Sequence, residues 1–279
     1  MDCEIWKRTK AIAIKTTHLL QHFINSPELK IHSEQYPFKY FEFLKEEVTV
    51  NNYTFPKNAV LGMQAEACFE AYLKQSKYFE LLAANLQIHG EKETLGELDY
   101  IALNLKTDEV VHIELACKFY LYNEARGNTE AQKWIGPNRK DSLYEKLEKV
   151  KHKQFPLLNT SETTKKLASL GIPEPTSQQL CLKASLFFPK ELNAETFPKH
   201  FKDCIVGYYI KPTDFIKDEA AEYAIPSKKE WLLPINSITN WYRFSEIILL
   251  IEDQLNLNKS PLIYKKTPHT VERFFIVWW

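Results

Sequence analysis

The sequence predicts a mixed α/β protein, and three stretches carry that expectation. Residues 94–122, TLGELDYIALNLKTDEVVHIELACKFYLY, read as two β-strands joined by a short polar loop. A patterned helix precedes them at about 58–75, and a second, NRKDSLYEKLEKVKHKQ, follows at 138–154. Helical periodicity on both sides of strand periodicity is the signature of a sheet flanked by helices.

In GELDYIAL alternate side chains point to opposite faces, so Glu97, Asp99 and Ile101 share one side while Leu98 and Tyr100 share the other. The loop LKTDE suits a hairpin turn. The next strand, VVHIELACKFYL, is rich in β-branched and aromatic residues. Its Val111, Ile113, Leu115, Cys117 and Phe119 make an apolar face, and His112, Glu114, Ala116 and Lys118 make the other. A strand this apolar is expected to be central, where charged groups are costly unless paired or metal-bound. His112 is expected to be a hydrogen-bonded structural histidine.

Neighbouring strands would present Asp99 and Glu114 side by side, with Lys118 further along. Two adjacent carboxylates repel, and a hard divalent cation such as Mg²⁺ or Mn²⁺ relieves that repulsion through oxygen ligation. A cation so held polarises a phosphoryl oxygen, and a nearby ammonium stabilises developing charge. Spacing alone fits phosphodiester hydrolysis and a salt-bridged sheet edge equally well.

In the first helix Leu61, Ala65, Phe69 and Tyr72 fall on one stripe, with Glu66 and Glu70 on a neighbouring one. In the second, Asn138 or Asp141 is the expected cap, and Leu143, Leu147 and Val150 bury one face. Lys146, Lys149 and Lys153 line another face, with Arg139 and Lys140 at the start. That is the best local basic patch, fit to hold a phosphate backbone, although Glu145 and Glu148 also suit a solvated, balanced face.

A helical Glu, then G-E-hydrophobic-D-hydrophobic, then a hydrophobic strand bearing Glu and a later Lys, resembles the PD-(D/E)XK nuclease-like superfamily. More closely, QAEACFEAYL, TLGELDYIAL, HIELACKFYLY and WIGPNRKDSLYEKLEKVKHKQFPLL resemble an uncharacterised bacterial domain-of-unknown-function family grouped with it, over about residues 61–158. The resemblance implies a restriction-endonuclease-like core with a mixed central sheet flanked by helices. It assigns Glu66 to the acid of the first core helix, Asp99 to the metal-binding aspartate and Glu114 to the acid of the E-x-K element. The usual lysine position is Ala116, so Lys118 is the nearest candidate, about 6–7 Å further along the strand. Arg139 and Lys146, inside the resembling stretch, are the substrate-binding candidates.

The implied function is metal-dependent hydrolysis of nucleic-acid phosphodiesters with Mg²⁺ or Mn²⁺, and the alternative is an inactive nuclease-like fold that binds nucleic acid or a protein. Alanine at Asp99 or Glu114 is then expected to abolish metal binding with little loss of fold.

The totals bound these readings. A chain of 279 residues with 44% hydrophobic content supports a buried core, and a formal net charge of zero leaves any nucleic-acid contact to a local patch. Five widely spaced cysteines without a C-x-x-C pair argue against zinc sites and disulfide frameworks. Seven glycines form neither a phosphate-cradling loop nor a dinucleotide fingerprint. The start MDCEIWKRTK does not read as a secretory signal, and no apolar run approaches the ~20 residues of a membrane span, so a soluble, cytoplasmic protein is expected.

Three regions are expected. Residues 1–57 form an N-terminal helical and aromatic part, with a helix over 8–25, residues 58–170 the core, and residues 171–279 a C-terminal α/β extension. In the extension LCLKASLFFP, DCIVGYYIKP, EWLLPI and RFFIVWW read as strands and FSEIILLIEDQLNL as a helix.

Overall fold

A computed structural model describes residues 19–46 and 59–279. Most of the expected helix at 8–25 lies outside the described residues, as do Asn58 and Cys3. The described residues form a mixed α/β protein with ten strands, paired both parallel and antiparallel, and helices around them.

Compactness divides the chain into two units that interleave in sequence. The described part of the first is 19–46, Gly62–Cys117 and Lys146–Lys183; the second is 59–61, Lys118–Glu145 and Ala184–Trp279.

The first unit runs as a helix and three strands: α1 (Leu61–Gln75), β2 (Phe79–His89), β3 (Thr94–Asn104) and β4 (Glu109–Tyr122), after a short β1 (Lys39–Tyr40). β2, β3 and β4 pair antiparallel in sequence, and the first half of β6 (Ser177–Pro189) follows β4 in strand order. β1 pairs parallel with β6. The β3–β4 turn closes as a hairpin: Asp108 N donates to Asn104 O at 2.8 Å, with Asp108 at φ 56. Aspartate tolerates that left-handed geometry better than most residues. From Val110 to Ala116 β4 is buried without interruption, as the apolar reading of the strand requires.

Two clusters hold this unit together. Phe41 and Phe43 meet Phe69 and Tyr72 of α1, so the crowded aromatics near residue 40 are core. On the other side Ile88, Leu98, Ile101 and Val110 pack with Leu157 and Leu167, the latter on α3 (Ser161–Ser169). A Cβ at Gly96 would sit 2.8 Å from Leu157 Cδ2, so a larger residue would make that methyl shift. The glycine of GELD thus lets the helix carrying Leu157 approach β3.

The second unit holds the β4 end paired with β5 (Trp134–Ile135), the second half of β6, then β7 (Ile205–Ile210), β8 (Glu222–Ala224), β9 (Leu262–Lys266) and β10 (Val271–Ile276). β6, β7 and β10 pair parallel, and β10–β9 and β9–β8 antiparallel. The helix over Phe244–Asn256 buries Ile247 and Ile251 against Tyr223, Ile263 and Phe274, as its periodicity predicts.

The segment EWLLPI is not a strand. Lys228–Glu230 forms a 3₁₀ turn in which Glu230 Oε2 accepts from Ser227 N at 2.9 Å and Ser227 Oγ at 2.8 Å, and Trp231 then donates Nε1 to Pro226 O at 3.3 Å. Local side-chain hydrogen bonds here outcompete a ladder. Strand β8 and strand β9 were not expected, being short and bounded by polar residues. No helix among the described residues is long and apolar enough to cross a membrane.

Candidate functional site

The strand register sets the acids. β3 and β4 pair Ile101 with His112 and Tyr100 with Ile113, so the next step along the ladder brings Asp99 alongside Glu114 on the face shared by Ile101 and His112. Asp99 Oδ2 also accepts from Leu115 N at 2.8 Å. Like charges opposed across a ladder are unfavourable. Burial and the charge of Glu114 together push the Asp99 carboxyl up from its ordinary range to about 7, while Lys146 pulls the other way.

Glu66 completes the acidic group from α1. The Tyr100 hydroxyl donates to Glu66 O at 2.9 Å and so fastens that turn of the helix to β3. Burial first, and Glu97 second, raise the Glu66 carboxyl, and Glu66 in turn adds to the charge felt by Asp99. Asp99 thus feels both Glu114, across the ladder, and Glu66, on α1.

Glu114 is wholly buried, and both of its oxygens accept hydrogen bonds. His112 Nε2 lies 3.0 Å from Oε1, and Gln154 Nε2 makes a short contact with Oε2. The outer ends of this network fix its direction. Gln178 Nε2 sits 2.8 Å from Phe155 O and 3.1 Å from His112 Nδ1. An amide nitrogen has two hydrogens, so Gln178 gives one to each, His112 Nδ1 accepts, and Nε2 carries the proton donated to Glu114. Lys146 Nζ donates to Gln154 Oε1 at 2.9 Å, leaving the Gln154 amide hydrogens for Glu114.

The helix that supplies Gln154 is built for this placement. Its first segment, α2 (Leu143–Lys149), passes into a π-helical turn over Val150–Gln154. The wider turn shifts the phase of later side chains, a device frequent at functional sites. The cap is Ser142, whose Oγ accepts from Glu145 N at 3.2 Å. The two expected caps are engaged elsewhere, Asn138 with Ser260 N at 2.9 Å and Asp141 with Lys118.

A model for a domain of unknown function, DUF1853, matches residues 11–277. The chain belongs to the DUF1853 family. No curated protein and no solved structure matches it.

The cationic candidates of this DUF1853 chain part company. Lys118 belongs to the second unit, where its ammonium pairs with Asp141 at 2.7 Å. Arg139, also in that unit, is exposed at φ 58 with its guanidinium 5.4 Å from the Trp279 ring. Lys146 alone of the three lies in the acidic unit and acts on Asp99.

Sequence reasoning missed Gln154 and Gln178. Neither amide carries a motif, and only the three-dimensional course of the π-turn and of β6 brings them to His112 and Glu114. Among the described residues no three His, Cys, Asp or Glu side chains are grouped to hold a metal ion. The described cysteines, Cys68, Cys117, Cys181 and Cys204, are free thiols.

One consequence is testable at Lys146 itself. Replacing it by Met removes the positive charge that lowers Asp99, so the Asp99 carboxyl should titrate above the wild-type value of about 7. A carbon-detected carboxyl NMR titration of wild type and Lys146→Met reads this directly, and an unmoved Asp99 would remove Lys146 from the site.

Proposed function

We propose that this protein is a metal-dependent nuclease of the PD-(D/E)XK-like kind, hydrolysing nucleic-acid phosphodiesters. The observation that carries the reading is the Asp99–Glu114 juxtaposition on adjacent strands, with burial and mutual repulsion holding Asp99 near 7. The donor set is all oxygen, and Glu66, Glu97, Asp99 and Glu114 far outweigh the one ammonium acting on Asp99. That deficit of positive charge suits a hard divalent cation.

Asp99 and Glu114 would hold Mg²⁺ or Mn²⁺, which when bound supplies Lewis acidity toward a phosphoryl oxygen. The chain's own groups have separate tasks. Gln154 and His112 fix the Glu114 carboxylate by donating to its two oxygens. Glu66, partly exposed, with its carboxyl raised by partial desolvation and by Glu97, takes the proton of an attacking water. Lys146 is positioned through Gln154 and faces the charge that develops on phosphate, so it takes the electrostatic part usually given to the lysine of E-x-K.

A second reading, a nuclease-like fold that binds without cutting, draws on two observations. Lys118 is engaged by Asp141, and both Glu114 oxygens already accept hydrogen bonds.

Titration calorimetry with Mn²⁺ and Mg²⁺ on wild type and Asp99→Ala, followed by incubation with mixed DNA and RNA, separates them. The nuclease reading expects wild-type metal binding lost in the variant and cleavage by wild type alone. Absence of metal binding to wild type would replace it by the binding fold.

A further inference from the structure

Behind the acidic network the first unit contains a cavity of about 440 Å³ whose lining includes Phe38, Lys39, Lys151, Phe155, Ser177 and Gln178. Three features mark this open pocket. Ser177 is only 8% exposed, and its hydroxyl has no hydrogen-bond partner among the described residues. A buried hydroxyl left unmatched costs about 1–3 kcal/mol, a cost that a ligand in the cavity would remove. Phe38 and Phe155 meet edge to face, with ring centroids 5.4 Å apart, and both line the cavity. The third feature is Gln178, which lines the cavity and also donates to His112 Nδ1. One side chain therefore separates the cavity from the network that holds Glu114.

The polar lining is cationic and neutral: Lys39, Lys151, Thr176, Ser177 and the amides of Asn159 and Gln178, with no carboxylate in the wall. Such a lining selects against cations and for an anion bearing an aromatic ring. The volume lies within the range of small-molecule sites. Aromatic walls stack on nucleobases, and ammonium groups take phosphate.

We propose that this cavity binds a nucleoside monophosphate, its phosphate toward Lys39 and Lys151, its base against Phe38 and Phe155, and a polar group hydrogen-bonded to Ser177. The site requires no metal. It deepens the nuclease reading if the nucleotide belongs to a nucleic-acid strand, and it stands without that reading if the nucleotide is free.

The test is titration calorimetry on the full chain in the presence of a chelator, using the four nucleoside 5′-monophosphates, the matching nucleosides and inorganic phosphate. At least one monophosphate should bind, and its nucleoside and phosphate alone should each bind at least about tenfold more weakly. Ser177→Ala should weaken binding about tenfold while leaving the melting temperature unchanged or higher, because it deletes an unmatched hydroxyl. The double variant Lys39→Ala/Lys151→Ala should bring the monophosphate down to nucleoside affinity. Asp99→Asn should bind as wild type does, which separates this site from the metal reading. A short single-stranded oligonucleotide that binds more tightly than the mononucleotide identifies a strand as the source, and one that binds less tightly identifies free nucleotide. No binding of any monophosphate, equal binding of phosphate alone, or a Ser177→Ala protein that is destabilised yet binds normally would overturn the proposal.

Discussion

Asp99→Asn is expected to make the metal-free protein more stable than wild type at pH 8, by up to about 4 kcal/mol. The Asp99 carboxyl has an ordinary value of 3.8 and is raised to about 7 in the folded chain, by burial first and by Glu114 second. A group whose pKa is raised on folding holds its proton more tightly in the native state. Its favourable contribution is complete below about 4, is lost as pH rises through about 7, and is absent at pH 8. Asparagine keeps an oxygen for Leu115 N and never ionises, so the variant's stability should decline less steeply over that window than the wild type's, with Glu66 left as a raised carboxyl. Chemical denaturation from pH 4.5 to 8 measures it. Parallel profiles for the two proteins would mean that Asp99 titrates normally and that the two acids do not repel. The same logic gives a metal signature: added Mn²⁺ should restore wild-type stability at pH 8 and leave Asp99→Asn unmoved.

That the acids would meet was legible because strand alternation is a strict rule of period two. GELD and the HIE segment each place their acid on a definite face, and the antiparallel hairpin between them fixes which residues oppose. The order α1, β3, β4 followed from the same periodicities. What surrounds Glu114 was not legible. Gln154 arrives through a π-turn that alters helical phase, so a wheel drawn at 3.6 residues per turn shows neither Gln154 beside Glu114 nor its hydrogen bond from Lys146. Gln178 comes from β6, far away in sequence, and nothing in its neighbours marks it. Lys118 is a different case, since strand parity puts it on the acidic face but says nothing of its partner, Asp141. In the second unit EWLLPI carries apolar residues at strand density, and Ser227 with Glu230 closes a local turn instead.

Glu114→Ala should cost about 3 kcal/mol at pH 5, contrary to the small loss expected from sequence for alanine at either acid. The side chain is wholly buried, and its removal strands the donors of His112 Nε2 and Gln154 Nε2 in a space too enclosed for easy hydration. Because Gln178 already donates to His112 Nδ1, the ring cannot escape by moving its proton to that nitrogen without setting two donors face to face. Glu114→Gln should recover part of the loss and no more, since its amide offers one acceptor where two donors converge. The cost must also depend on pH. Above about 7 Asp99 is ionised, and deleting Glu114 then removes a repulsion as well as two hydrogen bonds, so the alanine variant should approach wild type as pH rises from 5 to 8. Urea denaturation of wild type, Glu114→Ala and Glu114→Gln at both pH values reads all three effects. A Glu114→Ala protein as stable as wild type at pH 5 would mean that the carboxylate is not the hub of this network, and a cost that grows with pH would mean that its charge does not act on Asp99.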